Sequence, residues 1–164
     1  MQYKNLNNLC FYHKEYLYNF RGANRRYQIL YDKSIKIIDD YAHHPTEITA
    51  TINAAKKIET GKITVVFQPH RYSRTNFFLN EFAESLKLAD EVYLLPIYSA
   101  EEENIYNISS EKLAELIGGN TRVYSEEEIS DRVLNDNSSE NVYLFMGAGS
   151  ISRIANTIKN KLPL

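Results

Sequence analysis

The chain has 164 residues, 24% charged and 43% hydrophobic, with a formal net charge of −2. This is the composition of an ordinary globular domain with a core of its own, and no basic field points to nucleic acid. A single cysteine, Cys10, excludes an internal disulfide and favours a reducing, cytoplasmic setting. No apolar run is long enough to span a bilayer, and no signal peptide opens at Met1.

In chain order, Leu9, Phe11, Tyr16, Leu17 and Phe20 suggest a short helix ended by Gly22. Residues 26–31 and 35–40 read as two strands around the turn signal "DKS". From Pro45 the period becomes helical. Proline and Glu47 suit a first turn, Ile48, Ile52, Ala55 and Ile58 share one face, and Gly61 closes the helix. "ITVVF" (63–67) is a continuous β-branched run, as expected of a strand buried on both faces. A helix is predicted from about Asn76 to Leu88, with Phe78, Phe82 and Leu86 inward. Strands follow at 91–95, 121–124 and 141–146, and helices at 109–117, 125–134 and 150–161. Ser109 or Ser110 is expected to cap the first of these helices. "SAEEEN" reads as a polar loop.

Strand and helix therefore alternate. The expected fold is α/β: a three-layer, Rossmann-like, mostly parallel sheet with helices on both faces, and an antiparallel strand at 26–31. Ligands of such sheets bind beyond the carboxyl ends of the strands. "DDYAHHP", "QPHRYSRT" and "MGAGS" each lie at such an end, so three polar loops are expected on one rim.

In "DDYAHHP" (39–45), Asp39 or Asp40 suits a ribose hydroxyl or the orientation of a base, and His43 and His44 suit proton transfer or anion binding. The alternative is a helix N-terminus, with His44 near the cap and the acids solvated. Adjacent histidines without HxH or HxxxH spacing give no metal site. In "QPHRYSRT" (68–75), Arg71 and Arg74 stand three apart where a strand enters a helix, so two guanidinium forks can meet one anion. The alternative is two solvated arginines, with Ser73 or Thr75 capping the helix. "MGAGS" (146–150) reads better as a tight turn than as a phosphate loop, and no GxxxxGK[ST] pattern occurs. Arg21, Arg25 and Arg26 in "RGANRRYQ" suit a phosphate contact or a solvated linker equally well.

Taken together, "FRGANRRYQ", "IIDDYAHHPTEI", "VFQPHRYSRT" and "LFMGAGSISRIA" resemble the C-terminal domain of the Mur ligases, in the family's order over about residues 15–160. Within that family the stretches are most similar to the enzymes that join L-alanine to UDP-N-acetylmuramate in peptidoglycan synthesis. The relatives that attach a recycled tripeptide share the Asp-Asp-aromatic-Ala-His-His-Pro stretch but differ in the second loop. The resemblance implies an ATP-dependent ligase working through an acyl phosphate, assisted by Mg2+. It implies that residues 1–25 are a linker or the tail of a central domain, and that 26–164 form the amino-acid-binding domain. The phosphate loop, the magnesium ligands and the uridine site belong to domains outside this stretch, so the chain alone is expected to be inactive.

Residue by residue, the resemblance implies that Arg26 reaches the ATP phosphates and that Asp40 approaches the ribose. Tyr41 and His43 border the amino acid and the reacting centre, with His43 the candidate proton acceptor. Arg71 and Arg74 hold the amino-acid carboxylate. No role is implied for His70. The contrasting expectation is a non-catalytic module that binds a nucleotide or another anion.

Overall fold

A computed structural model describes residues 24–163, apart from 120 and 139. The short helix expected around Leu9–Phe20 lies outside the described residues.

The described chain runs β1 (Gln28–Asp32), β2 (Lys36–Asp40), α1 (Pro45–Ile58), β3 (Ile63–Phe67), α2 (Tyr72–Phe77), α3 (Leu79–Leu86), β4 (Glu91–Leu94), α4 (Ser110–Ile117), β5 (Arg122–Val123), α5 (Glu126–Leu134), β6 (Val142–Met146) and α6 (Ile151–Lys161). The six strands form one sheet in the order β1-β2-β6-β3-β4-β5. Only the β1–β2 pair is antiparallel; the other neighbours are parallel. The fold is the three-layer α/β arrangement expected from the alternation of strands and helices.

The two faces follow from the period of a strand, in which successive side chains point to opposite sides. Ile38, Val65, Phe67, Leu144 and Met146 face α1, α3 and α4, and pack with Ile48, Ile52, Phe82, Leu86 and Leu113. Ile37, Val66, Tyr143 and Phe145 face α5 and α6, and pack with Ile129, Val133, Ile151, Ile154 and Ile158. All five residues of β3 and of β6 are buried, because helices cover both sides of the central strands. Each large apolar side chain so buried contributes roughly 1.5–3 kcal/mol.

Several local expectations are corrected. Helix α2 begins at Tyr72, not near Asn76, and the helical run is interrupted at Phe78 (φ −106°, ψ 25°) before α3. Neither Ser73 nor Thr75 caps α2. The N-cap position is Arg71, whose side chain makes no cap hydrogen bond. Glu59, not Gly61, is the C-cap of α1. Ile58, expected inward, is 65% exposed at the last residue of the helix. Strand β1 starts at Gln28 because Arg25 and Tyr27 both have positive φ, 58° and 46°. Ser109 is the cap of α4, its hydroxyl accepting from the N–H of Lys112.

Candidate functional site

Strands β2, β6 and β3 are adjacent and parallel, with Asp40, Met146 and Phe67 in register. The chain leaves all three at the same edge, and so the loops after them share one rim. Two backbone bonds tie these exits together: Gln68 N–H donates to the Met146 carbonyl at 3.1 Å, and Gly147 N–H to the Asp40 carbonyl at 3.3 Å. Gly147 has φ 147°, and a β-carbon there would meet the Gln68 carbonyl oxygen at 2.8 Å. The "MGAGS" stretch thus works as a close-approach turn between two strand exits.

Both acids of the first loop are held inside. Asp40 is only 4% exposed; its Oδ2 accepts from Tyr27 N–H at 2.7 Å and its Oδ1 from Ala42 N–H at 2.8 Å. Asp40 therefore locks the turn after β2, and a ribose would reach it only if it were uncovered. Asp39, 1% exposed, pairs with the Arg25 guanidinium at 3.3 Å and accepts from the Ser152 hydroxyl. A buried carboxylate requires such partners.

Arg25, rather than Arg26, is knitted into the rim. Besides Asp39, its guanidinium donates to the Gly147 carbonyl and lies over the Tyr41 ring, 4.9 Å from the centroid. Arg26 is more than half exposed and, among the described residues, makes one loose ion pair, 3.7 Å from Glu47. Its fork remains available to phosphate oxygens.

His44 is the N-cap of α1: Nδ1 accepts from Thr46 N–H at 3.3 Å, while Glu47 Oε2 accepts from the N–H groups of His43 and His44. This matches the capping alternative for His44. His43 is placed differently. Its Nδ1 lies 2.8 Å from the Tyr41 carbonyl and 3.5 Å from Glu47 Oε2. Both neighbours only accept, so Nδ1 carries the proton and Nε2 keeps the lone pair of the neutral ring. Burial opposes ionisation of Glu47. The N–H of His43, the charges of a protonated His43 and of Arg26, and the N–H of His44 outweigh it and hold that carboxyl below its usual range. Tyr41 packs edge-on against the His43 ring, with centroids 4.9 Å apart.

The second loop places His70, Arg71 and Arg74. Arg71 has φ 71° and ψ 137°, a conformation disfavoured for a residue with a β-carbon. It is held there from both sides: its N–H donates to the Tyr98 carbonyl at 2.8 Å, and its carbonyl accepts from Thr75 N–H and the Thr75 hydroxyl. Arg74 makes no ion pair among the described residues. His70 stacks on Tyr98 with centroids 5.4 Å apart, and its Nδ1 is buried with no hydrogen-bond partner among the described residues. Burial, and then the positive charges of Arg74, Arg71 and His43, push the His70 imidazole below its ordinary pKa. The turn after β3 thus carries His70, Arg71 and Arg74 on the same rim as the turn after β2.

Two acids take part in ways that the sequence does not reveal. Glu47 looked like a generic first-turn acid, and Glu102 sat inside the polar loop "SAEEEN". Glu102 accepts from Ser73 N–H at 3.0 Å and the Ser73 hydroxyl at 2.8 Å, and stands 3.6 Å from Arg71. Among the described residues no group of three or more His, Cys, Asp or Glu is arranged to hold a metal ion. None of their helices is long and apolar enough to cross a membrane.

The sequence model of the Mur ligase family, described as "Mur ligase, glutamate ligase domain", matches residues 25–149. The chain belongs to the Mur ligase family. Among curated members of this family, the UDP-N-acetylmuramate–L-alanine ligase of Fusobacterium nucleatum is 45% identical over 91% of this chain. The enzyme of the same name from a Sulfurihydrogenibium species is 44% identical over 91% of it. The chain spans about a third of the length of these relatives, 34% in each case. Among solved Mur ligase structures, UDP-N-acetylmuramate–alanine ligase from Thermotoga maritima superposes with a TM-score of 0.68 at 33% identity, over 90% of this chain and 32% of that one. A murein peptide ligase from Psychrobacter arcticus, at 24% identity and a TM-score of 0.64 over 90% of this chain and 32% of that one, shares the fold.

Proposed function

We propose that residues 26–164 are the amino-acid-binding domain of an ATP-dependent ligase that joins L-alanine to UDP-N-acetylmuramate in peptidoglycan synthesis, in the cytoplasm. Residues 1–25 lead in from the domain before it. The observation that carries this reading is the shared rim: the registered exits of β2 and β3 bring Tyr41 and His43 to the same edge as Arg71 and Arg74. The names of relatives at 44–45% identity favour L-alanine over a recycled tripeptide.

In this reading Arg71 and Arg74 clamp the carboxylate of the amino acid. A guanidinium pair fits a planar carboxylate better than lysines would. Fixing that end directs the amine at the activated carboxyl carbon of the sugar nucleotide, and such positioning lowers the barrier by removing rotational and translational freedom. The ammonium form has no lone pair and must first lose a proton. His43 receives it at Nε2, while Glu47 and the Tyr41 carbonyl hold Nδ1–H and stabilise the imidazolium that forms. ATP supplies the phosphoryl group that activates the carboxyl. Arg26, exposed at the head of the domain, is the residue here that suits its phosphates, with Mg2+ held by domains outside this stretch. Asp40 fixes the loop on which Tyr41 and His43 ride, and would meet a ribose only when uncovered.

The test is alanine-dependent phosphate release by the intact ligase, this chain joined to the domains that precede it. Arg71→Ala and Arg74→Ala should each weaken alanine use by about ten- to a hundred-fold, the effect of losing a charge-assisted bond of roughly 1.5–3 kcal/mol, with the KM for UDP-N-acetylmuramate little changed. The 164-residue chain alone should give no turnover. An unchanged alanine dependence in both variants would overturn the reading.

A further inference from the structure

We infer that Glu102 is a positioning residue for the amino-acid carboxylate site, setting the Arg71 fork from a loop distant in sequence; this rests on the reading of Arg71 and Arg74 given above. Locally, Arg71 is held only through its backbone carbonyl, by the Thr75 N–H and hydroxyl, and no neighbouring side chain among the described residues fixes its guanidinium. It precedes α2, its own side chain caps nothing, and its backbone is in a disfavoured conformation. What holds this corner comes from the segment after β4. Tyr98 N–H donates to the Pro69 carbonyl and the Tyr98 carbonyl accepts from Arg71 N–H, both at 2.8 Å, so residues 69–71 and 98 form a short parallel bridge. The chain then turns through Ala100 and Glu101, both with positive φ, 50° and 67°. Two successive left-handed residues with β-carbons are unfavourable, and they persist only where surrounding contacts require them.

The contact they deliver is the Glu102 carboxylate. Oε2 takes the Ser73 N–H and Oε1 the Ser73 hydroxyl, so the carboxylate supplies the cap that no side chain of "HRYSRT" provides. Oε1 also lies 3.6 Å from Arg71 Nη1, close enough to orient the guanidinium and too long for a hydrogen bond. The fork is steered while its donors stay free for a substrate carboxylate.

The same carboxylate read as a placeholder, occupying the site until substrate displaces it, predicts the opposite sign. Positioning means that removing Glu102 weakens alanine binding; a placeholder means that removing it strengthens binding. The experiment is steady-state kinetics of the intact ligase with Glu102→Gln, Glu102→Ala and Ser73→Ala, beside Arg71→Ala as the control. Glu102→Gln and Glu102→Ala should raise the KM for L-alanine by about three- to five-fold, the upper end of what a part-exposed charge pair contributes. Ser73→Ala should move it less in the same direction. In all three, kcat and the KM values for ATP and UDP-N-acetylmuramate should stay within about two-fold, a split that a general loss of folding would not give. Glu102→Gln is nearly isosteric and keeps an acceptor for Ser73, so it reports even if the alanine variant fails to fold. An alanine KM unchanged or lowered in Glu102→Gln, with Arg71→Ala still impaired, overturns this inference and leaves the substrate reading standing. If Arg71→Ala is also without effect, the substrate reading itself has failed.

Discussion

Tyr41 is held by Arg25 twice: its N–H donates to the Arg25 carbonyl at 2.7 Å, and the Arg25 guanidinium lies over its ring at 4.9 Å. A residue before the first strand thus fixes a residue proposed to border the reacting centre.

Among the described residues, Arg25→Ala would leave Asp39 with only the Ser152 hydroxyl as a side-chain partner in an almost fully buried position. Stranding a buried carboxylate costs several kcal/mol; with Ser152 retained, a loss of about 2–4 kcal/mol is expected. Urea denaturation of the described domain measures it. Arg25→Lys should recover only part, because one ammonium cannot reach Asp39 and the Gly147 carbonyl in the same fork geometry. Full recovery by lysine would contradict this account.

Arg71 offers a separation of stability from function. With φ at 71°, glycine suits its backbone better than any residue with a β-carbon. Arg71→Gly should be more stable than Arg71→Ala by about 1 kcal/mol, read from their denaturation midpoints, while both lose alanine use alike. Equal stability of the two would mean that the conformation relaxes in the variants.

The connection between α5 and β6 gives a pH signature. Asp136 accepts from the Tyr143 hydroxyl at 2.6 Å, Asn141 Nδ2 at 2.7 Å and Ser138 N–H at 2.9 Å. Burial opposes its charge, but the Ser138 and Tyr143 hydroxyls, the Ser138 N–H and Asn141 hold the carboxyl below its usual range. A depressed folded-state pKa contributes stability that is present above the unfolded value, about 3.9, and is lost as pH falls through the folded value. Asp136→Asn should therefore cost about 1–3 kcal/mol near pH 7, and the gap from the natural chain should close below about pH 4. Denaturation at pH 7, 4 and 3 decides it; a gap constant over that range would show that the charge is not the cause.

Patterns that act within one element were legible in the sequence. The apolar runs at 63–67 and 141–146 read directly as central strands, since burial on both faces leaves no alternation to mask them. Pro45 and Glu47 marked the start of α1, and three strand exits pointed to one rim. What stayed hidden depends on partners far along the chain. The proline and arginines of "QPHRYSRT" suggested a loop up to Asn76, yet α2 starts at Tyr72 because a carboxylate 29 residues away from Ser73 caps it. Arg25 and Arg26 are neighbours of the same type, and only the position of Asp39 and Gly147 decides which of them is anchored. Glu102 was one of three consecutive glutamates, and nothing local distinguishes it.

The antiparallel pairing of β1 with β2 has a mechanical consequence. Because β1 runs against β2, its first residues lie beside the last residues of β2. The polypeptide thus enters at the rim and not at the base of the sheet, and Arg25 is the fulcrum. A pull on the chain at residue 24 would therefore bear first on the groups that Arg25 holds, Asp39, Tyr41 and Gly147, all at the rim.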